Sequence, residues 1–161
     1  MEITELFDLN PVQLKILLYV VISMLLGAVV GLDRELADKP AGLRTHMLVA
    51  GSAALLVSLG KIMVPDFGLS DVALGSDPLR IIGAIITGVS FLGAGTIIRR
   101  GPEDKVKGLT TAAALLFVAS VGICVALSKI LLAIGVTIIT LATLRGVVFL
   151  ERRFGFGRKE F

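Results

Sequence analysis

A chain of 161 residues that is 55% hydrophobic and only 18% charged, with a mean hydropathy of +0.93, cannot keep most of its surface in water; an ordinary soluble domain carries about 25% charged residues. The length allows one domain, and a bilayer takes roughly 20 mainly apolar residues per helix, so five spans with short connections nearly exhaust it and exclude a soluble catalytic domain. A formal charge of +3 implies an acidic partner only when it forms a basic face on a soluble fold, so no nucleic acid is expected and the placement of the charges is what informs.

The first eleven residues hold Glu2, Glu5 and Asp8 without a lysine or arginine. That is the opposite of the basic start of a secretory signal, so the first apolar run is expected to remain as a helix. Five apolar runs follow: Val12 to Leu32, Met47 to Val64, Ile81 to Ile98, Thr111 to Leu127 and Ile130 to Leu150. Each has the length of a spanning helix. Pro11 opens the first, Asp77 and Pro78 supply a cap and a first-turn proline for the third, and Thr110 or Thr111 can cap the fourth after Gly108. Only Ser128 and Lys129 part the last two runs, but one helix through both would far exceed the bilayer. Cys124, the single cysteine, lies in an apolar run and reads as a packed thiol. The expected fold is an all-α integral membrane bundle of five transmembrane helices over residues 1–150, with spans at 12–32, 47–64, 81–98, 111–127 and 130–150, and a short basic cytoplasmic tail at 151–161.

Short loops rich in lysine and arginine stay in the cytoplasm. With the amino terminus outside, twelve basic residues fall inside: Arg34, Lys39, Arg44, Arg99, Arg100, Lys105, Lys107, Arg145, Arg152, Arg153, Arg158 and Lys159. Four stay outside, Lys15, Lys61, Arg80 and Lys129, beside the acids Asp66, Asp71 and Asp77. Shifting the sequence by 66 residues superposes Leu26, Gly27 and Ala28 on Leu92, Gly93 and Ala94, Arg34 on Arg100, Asp38 and Lys39 on Asp104 and Lys105, and Gly42, Leu43 and Thr45 on Gly108, Leu109 and Thr111. Nine of the twenty positions from 26 to 45 coincide. This reads as a parallel internal repeat, helices 1–2 and helices 3–4, with the fifth helix added.

Small residues let membrane helices approach closely. Gly27 and Gly31 form such a pair on the first helix. On the third, Gly83, Thr87, Ser90 and Ala94 make one stripe, adjoined by Gly88 and Gly95, with Gly93 beside them. The third helix is therefore expected at the centre of the bundle, packed within the chain or across a homodimer. At the cytoplasmic boundary Asp33, Arg34, Glu35, Gly42, Arg44, Thr45 and His46 form one charged cluster, and Arg99, Arg100, Lys107, Gly108, Thr110 and Thr111 stand at the equivalent places in the second unit. Two readings are open: helix starts and arginines receive an anion such as phosphate or a partner's carboxylate, or the charges pair locally, Asp33 or Glu35 with an arginine of the other cytoplasmic loop. No Asp or Glu lies inside the five runs, which disfavours proton-coupled transport. Arg145, in the last third of its run, can snorkel inward. No phosphate loop, nucleophile elbow or histidine pair at metal spacing is present, so no enzyme, metal site or cofactor is expected.

Five stretches carry a family resemblance: G-A-V-V-G-L-D-R-E from Gly27, A-G-L-R-T-H-M-L-V from Ala41, D-P-L-R-I from Asp77, F-L-G-A-G from Phe91 and K-G-L-T-T-A-A from Lys107. In order and spacing they resemble the MgtC/SapB family of bacterial membrane proteins, from about residue 20 to 127. The family usually has other residues where this chain has Asp33, Ala84, Ser90, Lys107 and Leu116. The resemblance implies a multi-pass plasma-membrane protein linked to magnesium limitation and to virulence or intracellular survival. It also implies action through other membrane proteins, the ATP synthase among them, rather than by transport. Its motif positions here are Arg34, Glu35, Gly42, Arg44, Thr45, Arg80, Gly93, Gly95, Gly108, Thr110 and Thr111. A small channel or transporter for magnesium or another ion is the alternative, supported by the acidic outer loop and the repeat.

Overall fold

The structure, a computed structural model, describes residues 10–66, 78–100 and 105–154. Five helices follow one another: α1 (Pro11–Leu36), α2 (Leu43–Asp66), α3 (Pro78–Thr96), α4 (Leu109–Ala126) and α5 (Ile130–Phe154). The first four are long and apolar enough to cross a membrane, and α5 is apolar over Ile130–Gly146. Between α3 and α4 lies a short antiparallel pair, β1 (Ile98–Arg100) and β2 (Lys105–Lys107), with Arg99 opposite Val106.

Asn10 caps α1 by accepting a bond from the Val12 amide at 3.0 Å, next to a proline whose missing N–H would have had no partner in the first turn anyway. The helix runs four residues past the apolar boundary at Leu32, so Asp33, Arg34 and Glu35 are helical. It ends in a left-handed Asp38 (φ 52°), with the Lys39 amide bonded to the Arg34 carbonyl and the Asp38 amide to that of Glu35. Helix α4 stops in the same way at Ser128 (φ 61°), the Lys129 amide reaching the Cys124 carbonyl. These paired closing bonds satisfy carbonyls that a helix end leaves free, and they account for how two residues suffice to separate α4 from α5. The start of α4 is not capped by Thr110 or Thr111. Gly108 occupies the cap with φ 95° and no side-chain bond, and a Cβ there would run into the Thr96 carbonyl.

The core corrects the expectation for the third helix: α2 and α4 are central and α3 is peripheral. Helix α2 lies between α1 and α4. On one side a Cβ on Gly27 would stand 2.6 Å from the His46 carbonyl oxygen, and one on Gly31 2.8 Å from the Leu43 Cα. On the other side Gly122 packs on the backbone of Ala50. Ala50, Ala54, Val118 and Val125 are fully enclosed. Helix α3 buries Ile85, Val89 and Gly93, one residue per turn, with Gly93 on Ala112 and Ile81 on Gly60. Around Gly83, Gly88 and Gly95 an added Cβ meets nothing within 4 Å, and Thr87, Ser90 and Ala94 are exposed as well.

Helix α5 packs through Ala133 and Val136 against Val121 and Val125 of α4 and Ile22 and Leu26 of α1. The α4–α5 turn is tied to the rest by the Tyr19 and Ser128 hydroxyls, 2.7 Å apart, and by Lys61 Nζ, which donates to the Ala126 carbonyl at 2.9 Å.

Candidate functional site

The chemistry-bearing residues gather at the end of the bundle where α1 turns into α2. Asp33 is 7% exposed and Arg34 5%, although both follow the apolar part of α1. Asp33 Oδ2 accepts from Arg34 Nη2 at 2.5 Å and from Arg34 Nε at 3.0 Å. Asp33 Oδ1 accepts from Arg145 Nε at 2.6 Å. One buried carboxylate thus joins two guanidinium groups, one from its own helix and one from α5, 112 residues away. An unpaired charge in this surrounding would be costly, and two-point contacts from arginine are the geometry that offsets the loss of water. The arginine partner of Asp33 on another segment is Arg145 of α5 rather than one from the second connection.

Glu35, one residue on, faces the other way. Its Oε2 accepts the Leu43 amide at 2.7 Å, so the carboxylate caps the first turn of α2 from across the connection, where the helix dipole favours an anion. Gly42 is where the chain must pass beneath it: a Cβ there would sit 2.6 Å from Glu35 Oε2. His46 is fully buried. Its Nδ1 bonds to the Gly42 carbonyl at 2.8 Å, and since a carbonyl only accepts, Nδ1 carries the proton and Nε2 is an acceptor. That Nε2 is enclosed without a partner among the described residues, as are the Ser23 and Ser58 hydroxyls. Thr111, at the start of α4, is 1% exposed.

The remaining motif residues are dispersed. Arg44, Thr45, Lys107 and Thr110 are exposed at the same end. Arg80 is exposed at the start of α3, the opposite end of the bundle. Arg100 lies in β1, its backbone opposite Lys105; its side chain is outside the described residues, as are the side chains of Asp66, Asp71 and Asp77. Beside Thr45, a groove of about 450 Å³ opens between Ala41 of the connection, Phe91 and Gly95 of α3, and Leu115 of α4.

The anion reading of the helix starts therefore changes in kind. At α2 the chain's own Glu35 already holds the first amide, and Arg34 is turned inward onto Asp33. What the residues alone did not reveal is the bond between Asp33 and Arg145. A signal was there: Arg145 is the one charged residue between Lys129 and Glu151, and a lone charge deep in a spanning run calls for a partner at the same depth.

A model of the MgtC family matches residues 20–153. MgtC of Salmonella typhimurium is 40% identical over 119 residues, covering 74% of this chain and 46% of that protein. SrpB of Synechococcus elongatus is 38% identical over 137 residues, 81% of this chain and 74% of the relative. YhiD of Escherichia coli K12 is 34% identical over 149 residues, 88% and 65% respectively. The chain thus spans about half to three quarters of the length of these relatives. No solved structure matches it. The family match covers all the described helices but the first turns of α1 and the last residue of α5, and with helices of membrane-spanning length beneath it, the chain belongs to the MgtC family of membrane proteins.

Proposed function

We propose that this chain is a plasma-membrane regulatory protein that acts by helix contacts with other membrane proteins under magnesium limitation, in the manner the family's resemblance implies. One observation carries the reading: α3 leaves Gly83, Thr87, Gly88 and Ser90 exposed on its outer side, and Ala94 and Gly95 open to the groove beside Thr45. A stripe of small residues on an outer helix is the surface on which a second helix can approach to backbone contact. The state of Asp33 supports it further. The buried acid of the described spans is committed to two arginines, whereas a proton- or cation-coupled carrier works through an acid free to exchange its ligand. The reading includes five spans with the amino terminus outside, the parallel repeat, no catalytic activity, and a partner helix from an assembly such as the ATP synthase or from a second copy.

The test follows from the empty space around the stripe. Gly88→Leu and Gly95→Leu should melt in detergent within about 1 kcal/mol of the parent, because nothing in the chain is displaced. The same variants should lose the proteins that co-purify with the parent and fail to support growth at low magnesium at matched protein level. Retained function with retained partners would sink the helix-contact reading.

A second reading, a small channel or transporter for magnesium, draws on one finding, that the relative YhiD carries the name "putative magnesium transporter". Magnesium flux into liposomes holding the purified chain, lost on changing Asp66, Asp71 and Asp77 to asparagine, would establish it in place of the first.

A further inference from the structure

We propose that the seam between α1 and α5 binds an acidic phospholipid, its phosphate held by Arg145 at the end of the bundle that carries the α1–α2 turn. The Arg145 side chain is 69% exposed although its Nε is bonded to a carboxylate that is itself only 8% exposed. Asp33 fixes the guanidinium by that one nitrogen, and among the described residues Arg145 has no other partner. Its two terminal amino groups make no bond among the described residues, and such a pair of donors fits two phosphate oxygens.

The charges of the cluster sum to one positive, two guanidinium groups against one carboxylate, so an anion is what completes it. The surroundings say which anion. Leu131, Ile138 and Arg145 recur every seventh residue and lie on one stripe of α5, and the first two are 84% and 61% exposed. On α1, Val29 and Leu36 lie one turn to either side of Asp33 and are 47% and 76% exposed. A fixed positive charge therefore caps an apolar seam that faces hydrocarbon. A free anion would have no use for that seam, whereas an acyl chain would lie along it.

Arg145 is 15 residues into α5, about 22 Å along the axis, which puts the guanidinium within snorkelling reach of the headgroups of a core about 30 Å thick. A single positive charge at that level selects acidic over zwitterionic lipid by attraction to the net charge of the headgroup. The inference stands whether the chain regulates or transports.

The purified, delipidated full chain in mild detergent can be titrated with phosphatidylglycerol or phosphatidylcholine and followed by native mass spectrometry and thermal melting. The expected result is a preference of roughly tenfold for phosphatidylglycerol, the size of one charge-assisted contact, with a matching rise in melting temperature. Arg145→Gln should abolish the preference, Arg145→Lys should keep part of it, and Lys39→Gln, which removes an exposed charge at the same end, should leave it whole. Because Arg145→Gln leaves Asp33 with Arg34 alone and can fail to fold, the Asp33→Leu, Arg34→Met, Arg145→Gln triple variant, which removes the buried pair together with Arg145, serves as its uncharged counterpart. Equal binding of the two lipids by the parent overturns the proposal without any variant. A preference that survives loss of Arg145 overturns it too, as does inorganic phosphate reproducing the shift, which would mark a site for free anions.

Discussion

Asp33 and Arg34 show how far the meaning of a residue depends on what meets it. In the sequence they belong to a charged cluster at the end of an apolar run, where water is the default neighbour. In the structure both are enclosed; Asp33 is held by Arg34 and Arg145, and Arg34 among the described residues by Asp33 alone. Removing one partner of such a pair should cost about 3–5 kcal/mol, since the remaining charge is left buried, whereas replacing both by apolar groups of similar size should cost far less. We therefore expect Asp33→Leu alone, which strips the buried Arg34 of its carboxylate, to melt well below the parent in detergent, and the Asp33→Leu, Arg34→Met double variant to recover most of the loss. A double variant as unstable as the single would mean that the pair is not the unit of stability here. Glu35, beside them, was legible as a charge but not as a cap, because the amide it holds belongs to Leu43, eight residues away, and nothing in the spacing says that the connection folds back.

Among the elements, the helices themselves were plain in the sequence: all five runs are helical, with ends displaced by no more than four residues. Their partners were not. Small residues announce that a face can be approached closely, without saying from which side, and the glycines of α1 and α3 look alike until the neighbours are present. Gly31 meets the Cα of Leu43 and the Cβ of His46, while Gly83 meets nothing. The two should consequently separate on substitution. Gly31→Leu must push α1 off α2 or force side chains off their rotamers, at about 1–3 kcal/mol or more, and Gly83→Leu should be near neutral in the same melting assay. Similar losses at both would restore α3 to the interior. The helix starts were misjudged for a related reason: threonines at 110 and 111 are good caps by type, but the left-handed turn at Gly108 begins α4 earlier, and it follows a strand pair that apolar run lengths cannot reveal.

At the scale of the whole molecule, two levels frame the bundle. The turn at Asp38 marks one end, and the Lys61–Ala126 and Tyr19–Ser128 bonds mark the other. Between them α1 from Tyr19 to Leu36 and α2 from Leu43 to Lys61 each extend about 25–27 Å, close to the hydrocarbon thickness of a bilayer. Lys39 and Lys129 are both exposed and lie beyond opposite levels. On the reading proposed above, the bias of twelve basic residues to four puts the Lys39 end in the cytoplasm. The thiol of Cys124 sits in the apolar cluster of α1, α4 and α5 and should be removed first as Cys124→Ala. In that background Lys129→Cys should react with an impermeant maleimide added to intact cells, and Lys39→Cys should react only after the membrane is opened. Each change removes one positive charge from its own side, so the bias that sets orientation is nearly unaltered. Protection of position 129 with labelling of position 39 would invert the topology. It would also move the buried Asp33 cluster to the outer leaflet, where the Arg145 seam would have to find its acidic lipid on the other side of the membrane.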